Sequence, residues 1–202
     1  VFATRILCIT NALLRNESLN FESTLHKILS IILAPLLDEA ASFSEDYNTS
    51  LFDAQYKVLD DSASLLTLIV HRFQSKFPSL TGFLAELFTN TFFEKDFKRP
   101  FLIAKYGALA GLLAIGPDYI RDTILPKLKF VMEELEKRLK PENSSTNQLN
   151  RIERSQIIRL KSFLFPSCRI ILIKCKQTNY SLNEEIINNV VFYFGSLVFE
   201  EI

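Results

Sequence analysis

Helix breakers are scarce in this sequence, and that scarcity most limits what it can fold into. Only 5 glycines and 7 prolines punctuate 202 residues. An all-β chain needs turn signals about every 8–12 residues. Between the breakers, apolar residues recur at every third or fourth position, the period of a helix with one buried face. Apolar residues make up 48% of the chain, enough to bury a sizeable core. The expectation is therefore an all-α protein.

The period can be followed along most of the chain. Phe2, Ile6, Ile9 and Leu13 mark a first helix, and Phe21, Leu25, Ile28, Ile32 and Leu36 a second. Residues 39–57 are acidic and polar and read as a long loop, after which Asp60 or Asp61 is placed to cap a third helix. Leu66, Val70, Phe73 and Phe77 form its stripe, and Pro78 stops it. Ser79 opens a fourth helix with Phe83, Leu84, Leu87, Phe88 and Phe92 inside. Pro100 suits the first turn of a fifth, where a missing N–H does no harm. That helix ends at Gly116, read as a left-handed C-cap, and Pro117 starts the next. Ile120, Ile124, Leu128, Val131, Leu135 and Leu139 make the sixth stripe. Residues 141–150 read as a polar linker. A seventh helical region spans 151–176, bent or broken at Pro166. Leu182, Ile186, Val190, Phe194 and Leu197 line the last.

Short connections between long helices favour antiparallel hairpins. Pro35, Pro78, Pro126 and Pro166 recur at intervals of 43, 48 and 40 residues, and Pro35 and Pro126 lie 91 apart in similar contexts, LAPLL and LPKLK. That is about twice a HEAT-type period of roughly 45 residues. The expected architecture is an α-solenoid of four to five antiparallel helical hairpins. The whole of 1–202 is read as one HEAT-repeat domain. The start at Val1, in mid-pattern and without Met, suggests a fragment of a longer protein.

Residues suited to chemistry are few. His26 and His71 each sit near an apolar stripe and read as ordinary helix-face histidines. Cys8, Cys168 and Cys175 are odd in number, which argues against a disulfide scaffold, and Cys168 and Cys175 read as small apolar fillers. There is no His-Glu-x-x-His, no Cys-x-x-Cys, no phosphate-cradling glycine loop and no Gly-x-Ser-x-Gly. The acid pairs Asp60–Asp61 and Glu184–Glu185 fall at expected helix starts, where carboxylates favour the dipole. Gly107 and Gly111, four apart in an apolar helix, call for a close approach of two helices, because glycine in a helix costs about 0.5–1 kcal/mol relative to alanine. The apolar runs 28–37 and 101–117 are too short for a membrane span.

Residues 104–128 read AKYGALAGLLAIGPDYIRDTILPKL. Tyr106, Gly107 and Ala108 are followed by Gly111 and Leu112, then Ile115 and Gly116, then Leu125, Pro126 and Leu128. This combined pattern resembles the C-terminal HEAT-repeat domain of subunit 6 of the TBP-associated factors, a component of TFIID and of SAGA-type coactivators. Residues 25–37 and 60–93 agree more loosely, so the resemblance covers about 21–139. It implies a nuclear, non-catalytic scaffold of the RNA polymerase II preinitiation machinery, with other TFIID subunits as partners. It implies no cofactor, and the short apolar runs and missing ligand patterns lead to no expected metal, membrane or small-molecule substrate. The family's N-terminal histone fold is not part of this sequence. A generic helical-repeat adaptor outside transcription, and a small helical enzyme or lipid carrier lined by the 18 phenylalanines, are the competing readings.

Charge supplies the candidate site. The 23 bases and 23 acids cancel, so no global field attracts nucleic acid. Their layout is uneven: residues 38–61 hold seven acids and one base, and residues 149–176 seven bases and one acid. On a helical wheel Arg151, Arg154, Arg159 and Lys161 cluster opposite Ile152, Ile157, Leu160, Phe163 and Leu164. This basic strip is the candidate surface for an acidic partner segment or for a weak, non-specific DNA contact.

Overall fold

The computed structural model describes residues 2–37, 49–94, 101–139 and 147–195. Among them the chain is helical, with no strand. Nine α-helices are described: α1 Phe2–Arg15, α2 Leu25–Leu37, α3 Thr49–Phe73, α4 Ser79–Phe93, α5 Phe101–Ile115, α6 Pro117–Thr123, α7 Leu128–Leu139, α8 Asn147–Gln177 and α9 Glu184–Phe194. They fall into two compact units, Val1–Ile115 and Gly116–Ile202.

In the first unit α5 is the central element. Every residue from Leu102 to Leu112 is buried, so this stretch has no solvent face, which is why it is apolar all round but for Lys105. It packs against α2, α3 and α4. Phe92 of α4 meets Lys105 and Phe88 meets Gly111, so α4 and α5 run antiparallel. Asp60 and Thr67 of α3 pair with Tyr106 and Ala114, so α3 and α5 run parallel. α1 packs on α3.

The helix α3 begins earlier than its acidic sequence suggests. Phe52, Tyr56, Leu59, Leu66, Ile69, Val70 and Phe73 form one buried stripe. Asp53 and Lys57 lie on the exposed face. Asp60 and Asp61 are mid-helix rather than at a cap: Asp60 accepts from Tyr106 Oη at 2.8 Å, and Asp61 pairs with Lys57 at 3.3 Å. Acids on the outer face had hidden a helix with a regular inner face. The rest of the expected loop, 39–48, and Pro100 lie outside the described residues. Phe77 falls past the end of α3 and is exposed, and Phe83 points outward from α4, 62% exposed.

The first helix buries a different stripe from the one expected. Leu7, Thr10 and Leu14 face the core, whereas Ile9 and Leu13 are 62% and 43% exposed. Thr10 is accommodated because its hydroxyl donates to Ile6 O at 2.9 Å.

In the second unit, the sixth stripe is divided between two helices. α6 ends at Thr123, a tight turn occupies Leu125–Lys127, and α7 starts at Leu128. Pro126 has no N–H to continue the ladder and disfavours helical backbone at Leu125. Ile120, Ile124, Leu125, Leu128, Val131 and Leu135 are nonetheless fully buried, while Leu139 is exposed. Gly116 is not a left-handed C-cap. Its φ of 153° is positive but far from the left-handed helical value, a backbone open to glycine and strained for other residues, and its ψ of 137° is the one that a following proline favours. Asn147–Asn150, expected in the linker, form the first turn of α8, and α8 runs unbroken through Pro166. α8 packs on α6 and α7, and α9 on α7. The Asn183 side chain caps α9 by accepting from the Glu185 N–H at 2.9 Å, and Glu184 and Glu185 do occupy its first turn.

Candidate partner-binding surface

The strip on α8 exists as a helix face, but its four residues are not equivalent. Arg151 and Arg154 are exposed, whereas Arg159 and Lys161 are half-buried. Lys161 Nζ lies 3.5 Å from Glu136 of α7. Nearer the helix start, Glu153 pairs with Arg138 of α7 at 3.2 Å. These two pairs run in opposite directions along the two helices, so α7 and α8 are antiparallel. Behind the strip Ile152, Ile157, Leu160 and Leu164 are buried and Phe163 is half-buried. Ile158 lies on the outer side with the arginines and is 53% exposed. The sequence reading missed it, because one isoleucine among bases does not alter the period.

The residues of the motif differ in their surroundings. Tyr106 is 3% exposed; its ring stands edge-on to Tyr56 at 4.7 Å and its hydroxyl reaches Asp60. Ala108 and Leu112 are fully buried in α5. A side chain at Gly107 would strike the backbone of Leu36 in α2, its Cβ lying 2.9 Å from the Leu36 carbonyl carbon. At Gly111 the obstacle is a ring, with Phe88 Cε1 2.6 Å from the added atom. Only Gly107 therefore marks an approach of two helix backbones. Gly116 precedes Pro117 at the start of α6. Leu125 and Leu128 are buried around the tight turn, and Pro126 is exposed within it.

Several charged residues that the sequence reading passed over hold helix ends. Lys105 is 1% exposed, and its Nζ donates to the carbonyls of Phe92 and Glu94 at the end of α4. A cation there satisfies carbonyls that have no partner inside the helix and sits at the favourable end of its dipole. Arg72 does the same for α1. Its guanidinium donates to the carbonyls of Leu14 at 2.7 Å, Asn16 at 3.3 Å, Glu17 at 3.4 Å and Leu19, and stacks over Phe21. Five fixed donors suit arginine to this task. In the second unit Arg121 forks onto Asp122 at 2.7 and 3.0 Å, bonds Asp118 at 2.9 Å, and lies 4.2 Å over the Tyr180 ring. The hydrogen bond to Asp122 raises its already high pKa further. Asp118 also receives Lys174, which ties α6 to α8.

His26 and His71 are exposed on their helices. Cys168 and Cys175 are buried, Cys8 is exposed, and all three are free thiols. Burial pushes the Cys168 thiol up to about 12. Burial also raises Cys175, against the opposing pull of Arg121. Among the described residues no helix is long and apolar enough to cross a membrane.

Residues 2–129 match the family described as the TAF6 C-terminal HEAT repeat domain. The chain belongs to this family. The match takes in α1, which the resemblance read from the sequence had left out, and it ends in α7, before the basic strip. Two curated relatives carry the name Transcription initiation factor TFIID subunit 6. The Drosophila melanogaster protein is 25% identical over 134 residues, 66% of this chain and 21% of its own length. The Arabidopsis thaliana protein is 26% identical over 148 residues, 73% of this chain and 25% of its own. The chain thus spans about a fifth to a quarter of these relatives.

Proposed function

We propose that this chain is a non-catalytic protein-interaction scaffold of a TFIID-type complex, acting in the nucleus during assembly of the RNA polymerase II preinitiation complex. The observation that carries this reading is membership in the TAF6 C-terminal HEAT repeat family. Its partners are other TFIID subunits. The whole of residues 1–202 serves as one HEAT-repeat domain, presenting helix faces to those partners. The basic strip, Arg151, Arg154, Arg159 and Lys161, is one such face, and any DNA contact it makes is weak and non-specific.

The use of charge supports the reading. Arg72 and Lys105 hold helix ends in the first unit, and Arg121 is bonded within α6 in the second, which suits firm helix packing inside each unit. The test is affinity purification of the tagged full-length protein from nuclear extract, with the retained proteins identified by mass spectrometry. Recovery of TFIID subunits at constant ratio is the expected result. Their absence, with the protein folded and nuclear, refutes the proposal.

A further inference from the structure

The exposed part of α8 is narrower than the four-residue strip and chemically mixed. Arg151, Arg154 and Ile158 stand three and four residues apart and so share one helix face. Ser162 is exposed one turn further on, and half-buried Phe165 lies beyond it. Ile158, 53% exposed, sits directly after the two guanidinium groups. From Arg151 to Phe165 the row is about 21 Å long at 1.5 Å per residue.

Three features of this row bear on what covers it. First, Arg151 and Arg154 are both exposed and set two like charges one turn apart on the same face, an arrangement that an anionic partner relieves. Second, the nearby acid is committed elsewhere, since Glu153 pairs with Arg138 on α7. Neither Arg151 nor Arg154 has a carboxylate partner among the described residues. Third, the apolar side chain next to them gains only by meeting another apolar group.

From this juxtaposition we infer that the Arg151–Arg154–Ile158 row is a docking site for an acidic protein segment carrying an apolar anchor. The inference rests on the scaffold reading and names the partner chemistry for one of its faces. Carboxylates of the segment pair with the two guanidiniums, a geometry in which arginine can bond both carboxylate oxygens. A leucine or phenylalanine of the segment covers Ile158 and reaches toward Phe165. An extended stretch of roughly six or seven residues is long enough. DNA fits the row less well. Two guanidiniums neutralise few phosphates, and Ile158 would strip water from the phosphate backbone without offering it a hydrogen bond.

The test uses a fluorescent peptide of about eight residues, with Asp and Glu flanking a central Leu–Phe. Binding to this chain is followed by anisotropy across a salt series. The matched probes are the same peptide with Ser–Ser at its centre and a short DNA duplex. The expected result is binding of the Leu–Phe peptide in preference to both, weakening as salt rises. R151E/R154E should weaken it at least about tenfold. Ile158→Ser should weaken it several-fold and leave the salt dependence unchanged. R151Q/R154Q carries the comparison if circular dichroism shows that charge reversal disturbs the helix. Affinity indifferent to R151E/R154E, equal affinity for the Ser–Ser peptide, or tighter binding of the duplex each overturns the inference.

Co-purification of the full-length protein separates this inference from the reading beneath it. If the parent retains TFIID subunits and the peptide does not bind, the docking site falls and the scaffold stands. If the peptide binds as described and no TFIID subunit is retained, the scaffold falls and the docking site stands.

Discussion

Replacing Gly107 by alanine sets two opposed effects against each other, and the structure decides which prevails. On helix propensity alone, Gly→Ala in a helix interior stabilises by about 0.5–1 kcal/mol. At Gly107 the new Cβ would lie 2.9 Å from the Leu36 carbonyl carbon and 3.0 Å from its Cα. Carbon–carbon contacts are optimal at about 3.5–4.0 Å, so the shortfall is roughly 0.5–1.1 Å. The obstacle is backbone, which cannot rotate aside, so α2 and α5 must part by about that distance. A gap of this size forfeits a quarter to a half of each contact along the seam. Leu36 and Ile32 in α2 are fully buried, so the loss has no solvent-side relief. Overpacking of this kind costs about 1–3 kcal/mol. Taking the upper part of that range and subtracting the propensity gain leaves about 2 kcal/mol of destabilisation. For a chain of this size that is a fall in melting temperature of about 4–8 °C. Gly82 in α4 is the control, with nothing within 4 Å of an added Cβ. Gly82→Ala should stabilise by about 0.5–1 kcal/mol. Thermal melts followed by circular dichroism give both values. A Gly107→Ala protein that melts at or above the parent refutes the backbone-contact argument.

Other expectations follow from particular contacts. Gly111→Leu should destabilise the fold by about 1–3 kcal/mol through the buried Phe88 ring, and pairing it with Phe88→Ala should recover part of the loss in urea melts. Tyr106→Phe should cost about 1 kcal/mol, and the cost should vanish in an Asp60→Ala background if the hydroxyl acts through that carboxylate. Lys105→Ala strips two carbonyls at the end of α4 of a buried donor, so amide exchange in the last turn of α4 should accelerate ahead of the rest of the unit. The Cys168 thiol, normally at 9.0, is raised to about 12 in the fold. The unfolded chain therefore releases its proton first. The contribution of Cys168 to stability is complete below pH 9 and is lost as pH rises toward 12, by about 1.4 kcal/mol per pH unit. Cys168→Ala should flatten the alkaline limb of a stability–pH curve, and an unchanged limb would show that burial of this thiol does not control it. In the native protein a thiol reagent near neutral pH should modify Cys8 and spare Cys168.

The helical class was set by the sequence itself, through the period of its apolar residues and the rarity of glycine and proline. So was the special standing of α5, because a helix apolar on every face must be surrounded. The motif from Tyr106 to Leu128 carried the family, and glycines four apart in a helix announced a close approach. Tertiary structure alone decided which surfaces those patterns meet. In α1 two apolar stripes lie side by side, and the period cannot say that Leu7 and Leu14 turn inward while Ile9 and Leu13 turn outward; contact with α3 selects the face. In α3 the acids concealed the start of the helix, because charge on an outer face says nothing of the inner one. Gly107 and Gly111 look alike in sequence, yet one meets a backbone and the other a ring. Lys105 and Arg72 look like surface charges and are instead bonded to the carbonyl ends of α4 and α1. A helix end needs donors from whatever packs beside it, and what packs beside it is settled only when the chain has folded.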